Sequence, residues 1–464
     1  MCSIGVLLSA SESGAKEQEA EAMKKHAKLS TDIVLLIFLA AVVSLIIFPV
    51  LGNASATAVE TTMLDALSHS GGPGELGSIF KSSGNIFTAA YLHLVELIGG
   101  LFPQISQLLL LRLPGALVVL VMTLCLFRFD GGFDRLNASF LASLLFLSCA
   151  IIVDITFHAS AILIPASLFI FAMMSLYHWL HHGTRRYFGL VVLSSAISTT
   201  IIGATAPLSM AIMAYTFIAA SQLKAYKRYA VITAALLLSC AVAFLAIYVL
   251  VGDSSVAMGI FRLSHQLEPV ESIGHSMTRV FVQYVVVGIF PWSIPLILSF
   301  PWLLRNPRKL LRHFINLSLL QRYGIIIFLF SLPMLLFSTA LSGILLIVSL
   351  FFNMPLIGKY LLLQFNQHPS VWRITGAICA TIVGIGTCAF VAVNTGVNMP
   401  AEFDFMQLGN GWSKWCVFIT AMIFVSMYTL WRSVREIGHN NRFLYNIIML
   451  YLFAVALAIG YIFV

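Results

Sequence analysis

Apolar stretches of about 17–22 residues, broken by short polar or basic turns, recur along most of the chain, close to the ~20 residues a helix needs to cross hydrocarbon. They are continuous and do not alternate, which separates them from the ten-residue strands of a membrane barrel. In lipid each backbone polar group must be satisfied within its own segment or a closed sheet, so these stretches predict helices. The predicted spans are 33–51, 108–127, 137–153, 159–179, 188–203, 207–222, 230–251, 280–304, 324–340, 343–358, 374–394, 415–431 and 445–463, thirteen crossings. A further apolar stretch, 86–102, carries His93 and Glu96 and runs into Gly99, Gly100 and Pro103. It is expected to lie at the interface, because counting it as a span inverts everything downstream. Residues 1–32 are polar and mixed in charge and are expected to form a cytoplasmic tail with no cleaved signal. Met23-Lys24-Lys25 would suit the start of a signal-anchor. The expectation is an all-α integral membrane protein, with 33–464 as one bundle.

Composition sharpens this reading. Of 464 residues, 60% are hydrophobic and 9% charged, whereas soluble domains carry about 25% charge. A soluble catalytic domain is thereby excluded. With the N-terminus inside and 86–102 not crossing, only five of the 26 Lys and Arg fall outside: Lys81, Arg112, Arg262, Arg279 and Lys414. Retention of the other 21 on the inner side is the pattern that sets membrane orientation. The net charge of +8 is then the cytoplasmic face of a membrane protein and calls for no nucleic-acid partner. The seven cysteines are scattered, without a CxxC pair or a Cys/His cluster, so no metal or disulfide framework and no cofactor is expected.

Candidate chemistry collects in three outer segments, 52–107, 252–279 and 395–414. The first holds Glu60, Asp65, His69, Glu75, Lys81, His93 and Glu96; the second holds Asp253, Arg262, His265, Glu268, Glu271, His275 and Arg279; the third holds Glu402 and Asp404. The inner loops are short and basic, apart from 305–323, a basic amphipathic stretch of the kind that lies on a membrane surface. This asymmetry points to a function at the outer face, on a substrate that arrives through the lipid.

Several motifs resemble a known family. Gly274 to Leu296, with His275, Arg279, Tyr284, Gly288 and Pro291-Trp292-Ser293, is similar to a span of the aminoarabinose and protein O-mannosyl transferases, as is the basic loop Arg305 to Arg312 after it. Leu111-Arg112-Leu113-Pro114-Gly115-Ala116-Leu117 resembles the segment that opens their second span, and Arg322 to Ser338 resembles a later apolar helix. The order and spacing of these motifs match over nearly the whole chain. The resemblance implies a GT-C bundle with an outward-facing cavity and interfacial helices in the first outer loop. Its implied activity is transfer of a sugar from a polyprenyl phosphate to a lipid, glycan or protein acceptor. In such enzymes a first-loop carboxylate serves as general base, and basic side chains neutralise the leaving phosphate. The implied setting is a bacterial inner membrane, with the C-terminus outside.

The chain departs from the family pattern at four polar sites. The acidic pair of the first outer loop falls near Ala56-Thr57, and a Lys-Pro-Pro-Leu becomes Phe87-Thr88-Ala89-Ala90. A Thr-Lys-Gly-Pro becomes Ala204-Thr205-Ala206-Pro207, and a Lys-x-x-Pro-x-Tyr becomes the apolar run Leu341 to Val348. Glu60 and Asp65, in an expected interfacial helix from Ala56 to Leu67, are the substitute candidates for the base; a solvated helix face is the plainer reading. Arg112 is a candidate phosphate ligand, or else snorkels to headgroups. His275, Arg279 and His93 are further candidates for substrate binding. Asp154 and His158 read as a structural pair, and His181-His182 beside Arg185-Arg186 as a topology anchor with no metal. Three readings stay open: a divergent lipid-linked glycosyltransferase, a non-catalytic relative that binds a lipid-linked glycan or joins an envelope assembly, and a transporter or flippase. The outward position of the charges favours the first two over the third.

Overall fold

The computed structural model describes residues 33–34, 36–41, 44, 51, 60–61, 64–65, 86–129, 135–149, 151–152, 156, 163–203, 205–220, 226–251, 317–335, 339–367, 381, 383–388, 414–435 and 449–450. Every regular element among them is helical. The span expected at 280–304, and most of those at 374–394 and 445–463, lie outside the described residues.

In chain order the longer helices among the described residues are α1 (Ile86–Leu101), α2 (Gln107–Phe129), α3 (Arg135–Leu147), α4 (Leu163–His182), α5 (Arg185–Ile202), α6 (Thr205–Ala220), α7 (Tyr226–Val251), α8 (Leu319–Leu335), α9 (Thr339–Gln367) and α10 (Lys414–Arg435). Four contain windows long and apolar enough to cross a membrane: Gln107–Phe127, Ile164–His182, Tyr229–Ala246 and Ile344–Leu362. The chain is a multi-pass membrane protein.

The core forms where apolar faces meet each other instead of lipid. Helix α9 is central and packs on α2, α3, α4 and α8. Its apolar window is 72% buried, against 28% for that of α7. Helix α7 leans on α5 and α6 and turns Leu238, Val242, Leu245 and Val249 outward. That i, i+4, i+7, i+11 stripe is the face a helix at the edge of a bundle offers to lipid. Tyr323 of α8 is fully buried and meets Phe217 of α6 and Phe352 of α9 edge-on at 5.0 and 5.6 Å. Its hydroxyl donates to the Met173 carbonyl of α4 at 3.1 Å, so a buried polar group is satisfied across the core.

Glycines set two of the connections. Gly183 (φ 69°) and Gly203 (φ 75°) take left-handed conformations that L side chains resist. Their amides donate back to Trp179 and Thr199 at 2.8 and 2.9 Å, closing the ends of α4 and α5. The expected span 137–153 needs a correction: α3 stops at Leu147. There the Cys149 amide bonds only three residues back, to Phe146 at 3.2 Å, and Ile152 bonds to Cys149 at 2.9 Å. Hydropathy runs on through this turn because the turn is itself built of small and apolar residues.

At the other end of the sequence order, α1 holds 16 residues, about 24 Å at 1.5 Å per residue, which is short of a ~30 Å hydrocarbon core. It packs on α2 and α5 through a face that buries Leu92 and Val95. The chain then turns at Phe102, with the Ile105 amide donating to its carbonyl at 3.0 Å. Ser106 opens α2 by accepting the Leu109 amide at 3.2 Å, a side-chain N-cap.

Candidate functional site

The start of α2 carries its own polar anomaly. Pro114 lies inside the helix and has no amide to offer the Leu110 carbonyl, which opens the ladder one residue from Leu111. Tyr91, reaching across from α1, donates its hydroxyl to the Leu111 carbonyl. The neighbouring residue is Arg112, fully buried, and a buried guanidinium must be paired.

Its partner is Glu60. Arg112 Nε donates to one carboxylate oxygen and Nη2 to the other, both at 2.7 Å. Nη1 donates to the Leu51 carbonyl at 3.1 Å. Both side chains of the pair are 0% exposed. Each nitrogen of the guanidinium is therefore engaged, and its flat fork meets the carboxylate in the bidentate arrangement that makes such pairs strong and directional. The pair ties the segment that precedes α1 to the start of α2 across 52 positions of sequence.

The same region raises the pKa of Tyr91. Burial, and after it the negative charge of Glu60, push its hydroxyl above the ordinary tyrosine range. The Tyr91 proton thus stays in place to hold Leu111, immediately before the arginine.

The other sequence candidates separate. Glu60, Thr61, Leu64 and Asp65 are all helical, in keeping with an interfacial helix there. Asp65 is exposed while Glu60 is buried, as positions five apart on a helix require, since they point to different sides. On α1, His93 Nδ1 and Glu96 Oε2 approach to 3.6 Å, with the side chains 23% and 25% exposed. His275 and Arg279 lie outside the described residues, as do Asp154 and His158. His181 and His182 are exposed at the end of α4, beside Arg185 and Arg186 at the start of α5. No group of three or more His, Cys, Asp or Glu suited to a metal ion occurs among the described residues.

Two participants had escaped the sequence reading. Leu51 contributes only its carbonyl, for which a sequence carries no signal. Tyr91 reads as one more aromatic in an apolar run; the available hint was that a buried phenol needs a partner for its hydroxyl. Away from these groups, an apolar groove of about 310 Å³ runs between α2, α4 and α9, among Val121, Cys125, Phe171, Met174 and Phe351. The charged candidates do not line it.

No family model and no curated protein matches the sequence. Solved structures do match. The crystal structure of ArnT from Cupriavidus metallidurans in the apo state aligns with a TM-score of 0.56 at 15% identity, over 93% of this chain and 77% of that one. The structure of the same protein bound to undecaprenyl phosphate aligns with a TM-score of 0.57 at 15% identity, over 92% and 76%. The chain has a GT-C-like fold.

Proposed function

We propose that this GT-C-like membrane protein binds a polyprenyl-phosphate-linked sugar at the outer face of a bacterial inner membrane and serves in modification of an envelope glycan or lipid. The observation that carries the reading is the fold, aligned over 92% of the chain with a protein solved with undecaprenyl phosphate bound. The basic and acidic groups drawn together at the start of α2 support it. They sit at the end of a span, the depth at which the phosphate of a membrane-embedded carrier would lie. Around this pair the expected outer segments 52–107 and 252–279 would roof an outward cavity, with His93, His275 and Arg279 as its further binding groups. The acceptor in this reading is a lipid or a glycan.

Glu60 is the candidate base for transfer, with Asp65 as the alternative. One observation favours the second reading, a non-catalytic binder of lipid-linked glycan. Both Glu60 oxygens accept from Arg112 and both side chains are buried, so in this arrangement the carboxylate is committed and does not face an acceptor. Sugar-transfer assays of wild type, Glu60→Gln and Asp65→Asn separate the two readings. Loss with either variant identifies the base, and no transfer by wild type with any lipid-linked donor supports the binder.

Binding itself is tested in nanodiscs by native mass spectrometry, comparing undecaprenyl phosphate with undecaprenol. A charge-assisted contact to the phosphate is worth about 1.5–3 kcal/mol, so the phosphate should be retained roughly ten- to hundredfold better than the alcohol. Equal retention of the two by both wild type and Glu60→Gln would remove the reading.

A further inference from the structure

A guanidinium has two edges suited to a bidentate anion, one formed by Nε and a terminal nitrogen and one by the two terminal nitrogens. In Arg112 the first is taken by Glu60 at 2.7 Å on both sides, and Nη1 of the second is bonded to the Leu51 carbonyl. Phosphate and carboxylate compete for the same fork because each presents two oxygens in a plane. A buried ion pair is a poor source of net stability when weighed against apolar side chains of the same size. An arginine left alone in that place would be strongly unfavourable, however. A site that must offer a buried arginine to an anion therefore needs a substitute anion while it is empty.

We propose that Glu60 is that substitute: it holds Arg112 in the empty protein and is displaced from the guanidinium by the phosphate of an incoming lipid. The exchange replaces one bidentate charge-assisted pair with another, so Arg112 is never left unpaired. The Nη1 bond to the Leu51 carbonyl, 3.1 Å long, lies outside the contested edge and can keep the side chain in place throughout. Tyr91 does the same for the backbone by holding the Leu111 carbonyl from α1. What moves is the Glu60 side chain, whose carboxylate becomes accessible only when the phosphate is bound. Occupancy of the site and exposure of a carboxylate are thereby linked. This rests on the reading that the chain takes a lipid phosphate.

The alternative is that the pair is a permanent tie of α2 to the segment that precedes α1. The two differ in sign in the Glu60→Gln variant, which keeps the shape of the side chain and removes its charge. Under exchange, the competitor is weakened and undecaprenyl phosphate binds about tenfold more tightly than to wild type, as expected from losing one charge-assisted hydrogen bond. Under a permanent tie, affinity is unchanged or lower.

A second measurement uses wild type alone and decides the matter if Glu60→Gln cannot be purified. Modification of Glu60 by dicyclohexylcarbodiimide, read by mass spectrometry of the peptide, should increase severalfold with undecaprenyl phosphate and not with undecaprenol. Wild type that prefers the phosphate over the alcohol, with no tightening in Glu60→Gln, overturns the exchange and leaves the lipid-phosphate reading intact. The same holds for unchanged labelling where the variant is lost. If neither wild type nor Glu60→Gln distinguishes phosphate from alcohol, the lipid-phosphate reading falls and the exchange with it. Preference for the phosphate in the variant alone supports the exchange, with the closed pair dominating in wild type.

Discussion

At the scale of residues, the pair at the start of α2 yields a stability prediction that does not depend on any ligand. Removing one partner of a buried ion pair leaves an uncompensated charge and costs about 3–5 kcal/mol, while replacing both by apolar groups comes closer to neutral. Arg112→Met and Glu60→Met should each lower the apparent Tm in detergent, and the double variant should lose clearly less than the two losses combined. A double variant at the full sum would show that the two groups do not depend on each other. Both residues stood out in the sequence, because an arginine and a glutamate beside apolar spans are costly and demand a reason. Their pairing did not stand out, since nothing local connects positions 52 residues apart. The two reasons offered for them separately, a base and a phosphate ligand, compete for the same atoms once the side chains meet. Tyr91 and the Leu51 carbonyl were invisible for a simpler cause: one looks like core and the other belongs to the backbone.

At the scale of elements, hydropathy located the helices among the described residues well and their ends less well. The expected span 343–358 is the inner part of α9, which runs from Thr339 to Gln367. Hydropathy reports the stretch that hydrocarbon can accept, whereas backbone hydrogen bonding continues into the interface, past Lys359. The expected span 324–340 likewise starts late, since α8 begins at Leu319. There Ser318 and Gln321 exchange backbone–side-chain bonds at 3.2 and 3.3 Å, a reciprocal cap that an apolar window does not register. The contact between these two helices is set by Gly324. A Cβ there would lie 2.7 Å from the Phe352 carbonyl oxygen and 3.3 Å from Asn353 Oδ1. Asn353 uses this closeness: its Nδ2 donates to the Gly324 carbonyl at 2.9 Å and to Ser349 at 2.8 Å within its own helix. Gly324→Ala must push the helices apart against backbone, and overpacking of this kind costs about 1–3 kcal/mol. The expected outcome is a lowered Tm, with an unchanged or raised Tm for Gly189→Ala, where a Cβ meets nothing within 4 Å inside a helix. Equal effects of the two substitutions would mean that the close approach is not what Gly324 provides.

At the scale of the whole molecule, a fold can persist at 15% identity because most of what specifies a membrane bundle is shared by many apolar side chains. Lipid accepts any of them on the outside, and close packing accepts many combinations of similar volume on the inside. The all-α membrane class was therefore legible from hydropathy and the GT-C-like fold from the resemblance of motifs, while a site that depends on a few polar atoms was not. Orientation is a separate quantity, governed by Lys and Arg, and it turns on α1. The expected interfacial placement of α1, which carries His93 and Glu96 partly exposed, would keep the N-terminus and the α4–α5 turn on one side. That turn exposes His181, His182, Arg185 and Arg186 in succession, and moving two arginines through the bilayer is what the positive-inside bias resists. The thirteen crossings expected from the sequence would place both this turn and the loop carrying Arg442 in the cytoplasm, with the C-terminus outside. Reporter fusions after Arg186 and after Arg442 should both read cytoplasmic, and a fusion at the C-terminus should read outside. An external reading after Arg186 would make α1 a span and carry the start of α2 to the inner face. The Glu60–Arg112 pair would then lie at the wrong surface for an outer lipid phosphate, so this measurement also bears on the site.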